Sequence, residues 1–118
     1  MKEIEGFDHV AIAVPNLIDE VERLTTMMGM VIQASSEHYA LLADRTSGFQ
    51  IELTESTDGQ SHFRHLGFRA TDVQAAHNAL VEAGMESTEK PHRREFAKMF
   101  TSFLKETSGL EIQLVKYD

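Results

Sequence analysis

At 118 residues the chain is one ordinary domain, long enough to bury about two-thirds of its unfolded surface. Its net charge of −8 excludes a general affinity for nucleic acid or anionic membrane, which need positive charge. There is no cysteine, so disulfides, thiolate metal sites and cysteine nucleophiles are excluded; a metal must rest on His, Asp, Glu or an amide oxygen.

The start, Met1-Lys2-Glu3-Ile4-Glu5, lacks the apolar run of a signal peptide. No apolar stretch approaches a membrane span, so a cytoplasmic protein with no membrane partner is expected. The first predicted strand runs from about Phe7 to Val14. It sets Val10, Ile12 and Val14 on one face and His9, Ala11 and Ala13 on the other. Pro15-Asn16 ends it, since proline has no N–H for a ladder. Leu17, Val21, Leu24 and Met28 then form an apolar stripe, predicting a helix from Leu17 to Met28 that Gly29 closes. Strands are predicted over Met30–Ala34 and Tyr39–Ala43. The turn residues 44–48 follow, then a strand over Phe49–Thr54 that sets Gln50 and Glu52 against Phe49, Ile51 and Leu53.

Residues 56–61 carry no apolar period and read as a linker between halves. His62–Arg69 is the next predicted strand. Thr71-Asp72 supplies an N-cap for a helix over Val73–Ala83, with Gly84 after it. The segment Glu86–Ala97 is longer than its counterpart in the first half and carries His92, Arg93 and Arg94. Strands are predicted over Lys98–Leu104 and Leu110–Lys116, separated by the turn Glu106-Thr107-Ser108-Gly109.

The order repeats, and so does the sequence. Phe7-Asp8-His9-Val10-Ala11-Ile12 is echoed 56 positions on by Phe63-Arg64-His65-Leu66-Gly67-Phe68. Ser47-Gly48-Phe49-Gln50-Ile51-Glu52-Leu53 is echoed 61 positions on by Ser108-Gly109-Leu110-Glu111-Ile112-Gln113-Leu114. The expected fold is therefore α+β: one domain over 1–118 with a βαβββ module at about 5–55, a linker at 56–61 and a second module at 62–116.

His9 shares its face with alanines and His65 shares its face with Gly67. Small neighbours beside a polar residue leave room, as the lining of a cavity does. Packed as pseudo-symmetric units, the halves would gather His9, Glu52, His65 and Gln113 around one cup. Two imidazoles, a carboxylate and an amide oxygen suit Ni, Co, Zn, Mn or Fe better than Ca or Mg. The residues alone leave a second reading open, because polar alternation is also what one wet face of an antiparallel sheet shows.

The run Asp8-His9-Val10-Ala11-Ile12-Ala13-Val14, the run His65-Leu66-Gly67-Phe68-Arg69-Ala70-Thr71-Asp72 and the two Ser-Gly-x-x-Ile-x-Leu endings resemble the vicinal oxygen chelate superfamily. That group includes glyoxalase I, methylmalonyl-CoA epimerase, fosfomycin-resistance enzymes, extradiol dioxygenases and bleomycin-resistance proteins. The resemblance covers about Glu5 to Val115. It implies paired βαβββ modules whose curved mixed sheets enclose a cup-shaped site, usually with one divalent metal ion. Its ligand positions fall on His9, Glu52, His65 and Gln113. Bacterial-type glyoxalase I has carboxylates at the second and fourth places, and the epimerases an amide second and a carboxylate fourth. This chain has the reverse of the epimerase pattern. Extradiol dioxygenases and fosfomycin enzymes need the last-strand carboxylate. Glu111 shares a strand face with Gln113 and replaces it only if the strand slips by two residues.

The function expected is a divalent-metal-dependent lyase or isomerase of the glyoxalase type, in which a polarised carbonyl acidifies the neighbouring C–H and Glu52 is the base. Arg69, His92, Arg93, Arg94 and Phe100 are weaker candidates for holding the substrate, the basic ones for an anionic group. Each has a plainer reading as a surface salt bridge, a solvated loop or core packing. His62 and His77 read as surface residues. Two other functions stand beside the first: a metal-free, bleomycin-resistance-type protein that sequesters an antibiotic or metabolite, and an Fe(II) dioxygenase. The resemblance also implies a homodimer acting on a small molecule.

Overall fold

The structure, a computed structural model, describes residues 2–118. Its elements are β1 (Ile4–Val14), α1 (Leu17–Thr26), β2 (Val31–Ser35), β3 (Tyr39–Ala43), β4 (Gln50–Glu55), β5 (His62–Ala70), α2 (Val73–Glu82), β6 (Glu86–Arg94), β7 (Met99–Lys105) and β8 (Glu111–Tyr117). This is an α+β chain in which the order strand–helix–strand–strand–strand occurs twice. The chain divides into two compact units, one holding the residues up to Asp8 with His65–Asp118, the other His9–Arg64.

In the unit His9–Arg64 the strand order is β2-β3-β4-β1. β1 and β4 are parallel, with Ala11 opposite Glu52, while β3 lies antiparallel to both β4 and β2. The apolar stripe of α1 seats Leu17 on a core of Val14, Ala40, Leu42 and Leu53, with Val21 and Leu24 packed at its edge. The Asn16 side chain caps the helix by accepting from the Asp19 N–H at 3.0 Å. The helix stops at Thr26, two residues short of the predicted end, and Met28 is exposed. Its place in the stripe is taken by Met30, which packs on the same core after Gly29 turns the chain at φ +71°.

In the other unit the start of β1 adjoins β5, and the order continues β8-β7-β6. β5 and β8 are parallel, with Gly67 opposite Gln113; β7 is antiparallel to β8 and to β6. Beneath α2, Val73 and Ala76 bury against Ala70, Leu104, Ile112 and Leu114. Asp72 caps this helix through the Ala75 N–H at 3.0 Å, 56 positions from the Asn16 cap.

Two stretches depart from the sequence pattern. β1 starts three residues before the predicted Phe7, because Thr71 N–H and Glu3 C=O close the strand end at 2.8 Å. The basic run 92–94 belongs to an edge strand rather than a loop. Pro91 is tolerated there because an edge strand has one unpaired side, and the register shifts between Ser87 and His92 bend it.

Candidate metal centre

Each unit builds the same corner. In one, His9 on β1 stands two residues before Ala11, the residue opposite Glu52 on β4. In the other, His65 on β5 stands two residues before Gly67, the residue opposite Gln113 on β8. A period of two puts histidine and small residue on one face, so the imidazole leans diagonally toward the acid or amide over a neighbour too small to block it. His9 and Gln113 are 1% exposed and His65 2%. Buried polar groups of this kind need partners, and these have them.

The His9 Nε2 lies 3.8 Å from Glu52 Oε2. The His65 Nε2 lies 2.9 Å from Gln113 Oε1. An ion binds imidazole nitrogen and carboxyl oxygen at about 2.0–2.2 Å, so two of its ligands at a right angle stand about 3.0 Å apart and two at the tetrahedral angle about 3.4 Å. The second pair has the right-angle spacing; the first corresponds to a wider angle, of about 130° by the same triangle. Both spacings are short enough for one ion to span. Glu111 is exposed on β8, so Gln113 and not its neighbour is the inward residue.

The oxygen of Gln113 is identified by its surroundings. Thr101, wholly buried on β7, donates its hydroxyl hydrogen to the Leu114 carbonyl at 2.6 Å. Its oxygen can then only accept, and it accepts from Gln113 Nε2 at 2.9 Å. The amide oxygen is thereby turned to His65 Nε2, which donates its N–H there in the metal-free protein; an ion held at Nε2 would need the ring proton on Nδ1 instead.

Phe103, opposite Gln113 on β7, meets the His65 ring edge-on at 5.2 Å between centroids. The Arg94 guanidinium sits 5.1 Å from the centre of that phenyl ring and donates to Glu89 at 2.8 Å. The other basic residues are engaged elsewhere. Arg93 makes a two-pronged bond to Asp118 and another to Glu95, and His92 lies 3.1 Å from Glu89 at the surface. Arg69 holds the buried Asp8 carboxylate at 2.8 Å, which also accepts from Tyr117 at 2.6 Å. Phe100 packs with the α2-side core, one face away from Thr101 and Phe103.

The sequence leaves Tyr39 open between the cup and solvent and misplaces His77 at the surface. Tyr39 is half-buried, and burial, reinforced by the negative charge of Glu52, pushes its phenol above the usual value, so it stays protonated. Residue 39 stands at a strand start, where alternation says little about direction. His77 is buried under α2 rather than at the surface, bonded to Ser102 and Ser87 at 2.8 Å each. A helical stripe with a His in it was the available signal. An apolar cavity of about 350 Å³ also lies under α2, lined by Leu66, Phe68, Leu80, Met85, Ile112 and Leu114 among others. Leu66, Ile112 and Leu114 point away from the strand face of His65 and Gln113, so the cavity is not part of that corner.

The family model described as Glyoxalase/Bleomycin resistance protein/Dioxygenase superfamily matches residues 6–114. No curated protein sequence matches the chain. Among solved structures, methylmalonyl-CoA epimerase from Mycobacterium tuberculosis superposes with a TM-score of 0.85 at 25% identity, covering 98% of this chain and 90% of that one. A Streptomyces coelicolor methylmalonyl-CoA epimerase variant in complex with 2-nitronate-propionyl-CoA gives 0.81 at 20% identity, covering 97% and 98%. A methylmalonyl-CoA epimerase in complex with methylmalonyl-CoA and NH4+ gives 0.80 at 20%, covering 97% and 95%.

Proposed function

We propose that this chain, which belongs to the Glyoxalase/Bleomycin resistance protein/Dioxygenase superfamily, is a divalent-metal-dependent isomerase or lyase acting on a small carbonyl compound. The observation that carries the reading is the duplicated corner, with one buried histidine beside an oxygen ligand in each unit. His9, Glu52 and His65 are of the types that can hold a metal ion, and Gln113 supplies a fourth, neutral donor. Superposition on an epimerase structure agrees with an isomerase-type member of the fold.

When bound, the ion supplies Lewis acidity toward a substrate oxygen. The rest falls to side chains. Glu52, with a side chain 17% exposed, is accessible enough to take the proton from carbon next to the carbonyl. The C–H bond breaks, its electron pair moves toward the carbonyl oxygen, and the proton resides on Glu52 until it is returned. Tyr39, kept protonated by burial and by the negative charge of Glu52, is the hydrogen-bond donor we assign to the substrate. Gln113 has no useful basicity, so one carboxylate serves both proton steps, which favours a one-base isomerisation or an elimination. Arg94, braced by Glu89 and Phe103, is the residue of the basic run best placed to hold an anionic group of the substrate.

The test is metal content by mass spectrometry on tag-free protein, before and after chelation and reloading. About one equivalent of a transition metal, lost in a His9→Ala/His65→Ala variant, is the expected result. No metal after reloading would overturn the proposal in favour of a ligand-sequestering protein. Glu52→Gln should keep the metal and lose turnover by about 10²-fold or more; full turnover would remove Glu52 as the base.

A further inference from the structure

We infer that Thr101 is a positioning residue for the metal centre: its buried hydroxyl fixes which end of the Gln113 amide faces His65. Three bonds in series make the argument. The Leu114 carbonyl can only accept, so the Thr101 hydroxyl hydrogen is spent on it at 2.6 Å. The Thr101 oxygen is left as an acceptor and takes Gln113 Nε2 at 2.9 Å. The Gln113 oxygen must then point the other way, at His65 Nε2, 2.9 Å off.

An amide is symmetric in shape and not in chemistry. Rotated by half a turn, Gln113 would present NH2 to His65, and an NH2 group cannot ligate a cation. It would also set two acceptors, its own oxygen and that of Thr101, against each other. Thr101 is wholly buried, so no water competes for this arrangement. The hydroxyl acts as a polarity key that only an amide fits, because a carboxylate at 113 would bring a second acceptor to an oxygen with no hydrogen left to give. That gives a physical reason for an amide at this place, where the glyoxalase pattern has a carboxylate.

The inference deepens the metal reading, and only its affinity arm rests on that reading. Nitrogen-15 spectra of the histidine rings at about pH 8, above the usual imidazole pKa, report the His65 tautomer without any metal. Calorimetric titration with Ni2+ or Zn2+ reports affinity. The wild type should show His65 protonated at Nε2. Thr101→Ser should keep that signal. Thr101→Val, close to isosteric, should lose it and bind metal about 10- to 100-fold more weakly. A Thr101→Val protein with the wild-type tautomer and wild-type affinity would overturn the inference, as a purely structural role would lower only its melting temperature. Should that variant fail to fold, a wild-type His65 protonated at Nδ1, with Nε2 accepting from the Gln113 amide, overturns it just as directly. If the wild type takes up no metal while Thr101→Val still changes the tautomer, the metal reading fails and the positioning role stands.

Discussion

Asp8 and His9 are neighbours in sequence with opposite duties. The Asp8 carboxylate is wholly buried and held by Arg69 and Tyr117, and the bond to Asp8 pushes the Arg69 guanidinium further into its charged range. His9 turns to the other face and meets Glu52. Burial alone sets the direction in which the His77 pKa moves. Desolvation lowers its pKa, so the folded state binds the proton less readily than the unfolded chain does. Stability is then full above the unfolded value of about 6.5 and falls as pH drops through the folded value. Urea midpoints measured from pH 7.5 to 5 should decline below about 6.5 for the wild type and flatten in His77→Leu. An equal slope in both proteins would remove His77 as the cause. Asp44, Asp58 and Asp118 have lowered pKa values, so they add their losses in more acid solution.

At the scale of elements, the paired caps carry the prediction. Asn16 and Asp72 each satisfy one N–H in the first turn of a helix. Replacing either by alanine should cost about 0.5–2 kcal/mol in chemical denaturation, and the two losses should add because, among the described residues, the helices pack on separate core clusters. Leu104 and Leu114 are wholly buried under α2. Truncating either to alanine should cost about 2–5 kcal/mol. A loss well under 1 kcal/mol would mean that the cavity under α2 already lets this layer relax.

Strand direction was readable from sequence where polar and aliphatic residues alternate, as over Gln50–Leu53 in β4 and Glu111–Leu114 in β8. It was not readable in β7, whose residues Met-Phe-Thr-Ser-Phe-Leu mix polar and apolar on both faces. Only the register, with Phe103 opposite Gln113, shows that Phe103 and Thr101 belong with His65 and that Phe100 belongs with α2. The helix end at Thr26 was missed for a related reason: Met28 and Met30 are equally apolar, and only the glycine turn decides which one reaches the core.

At the scale of the whole molecule, the proposed metal centre would link metal binding to folding, since an ion bound by the native state alone stabilises it. With metal at about 100 times its dissociation constant the gain is about 2.7 kcal/mol, which in a domain of this size raises the melting temperature by on the order of 10 °C. Chelation should reverse the shift, and the His9→Ala/His65→Ala protein should melt at one temperature with or without metal. A metal-independent melting temperature in the wild type would contradict the proposed centre.

The sequence by itself determined the duplicated βαβββ order, the two helices with their glycine ends, and the four residues that alternation sets opposite the apolar faces. Those are local properties, written in periods of two and of 3.6 and in short echoes displaced by 56 and 61 positions. Only the tertiary structure decided what those residues meet. Long-range pairing chose Thr101 and Phe103 as the support of Gln113 and His65, tied Arg69 to Asp8 across 61 residues, and sank His77 between two serines. Hydrogen bonds and ring contacts of that kind depend on strand register. Register is fixed by which apolar faces bury together, and no single segment of the chain contains that information.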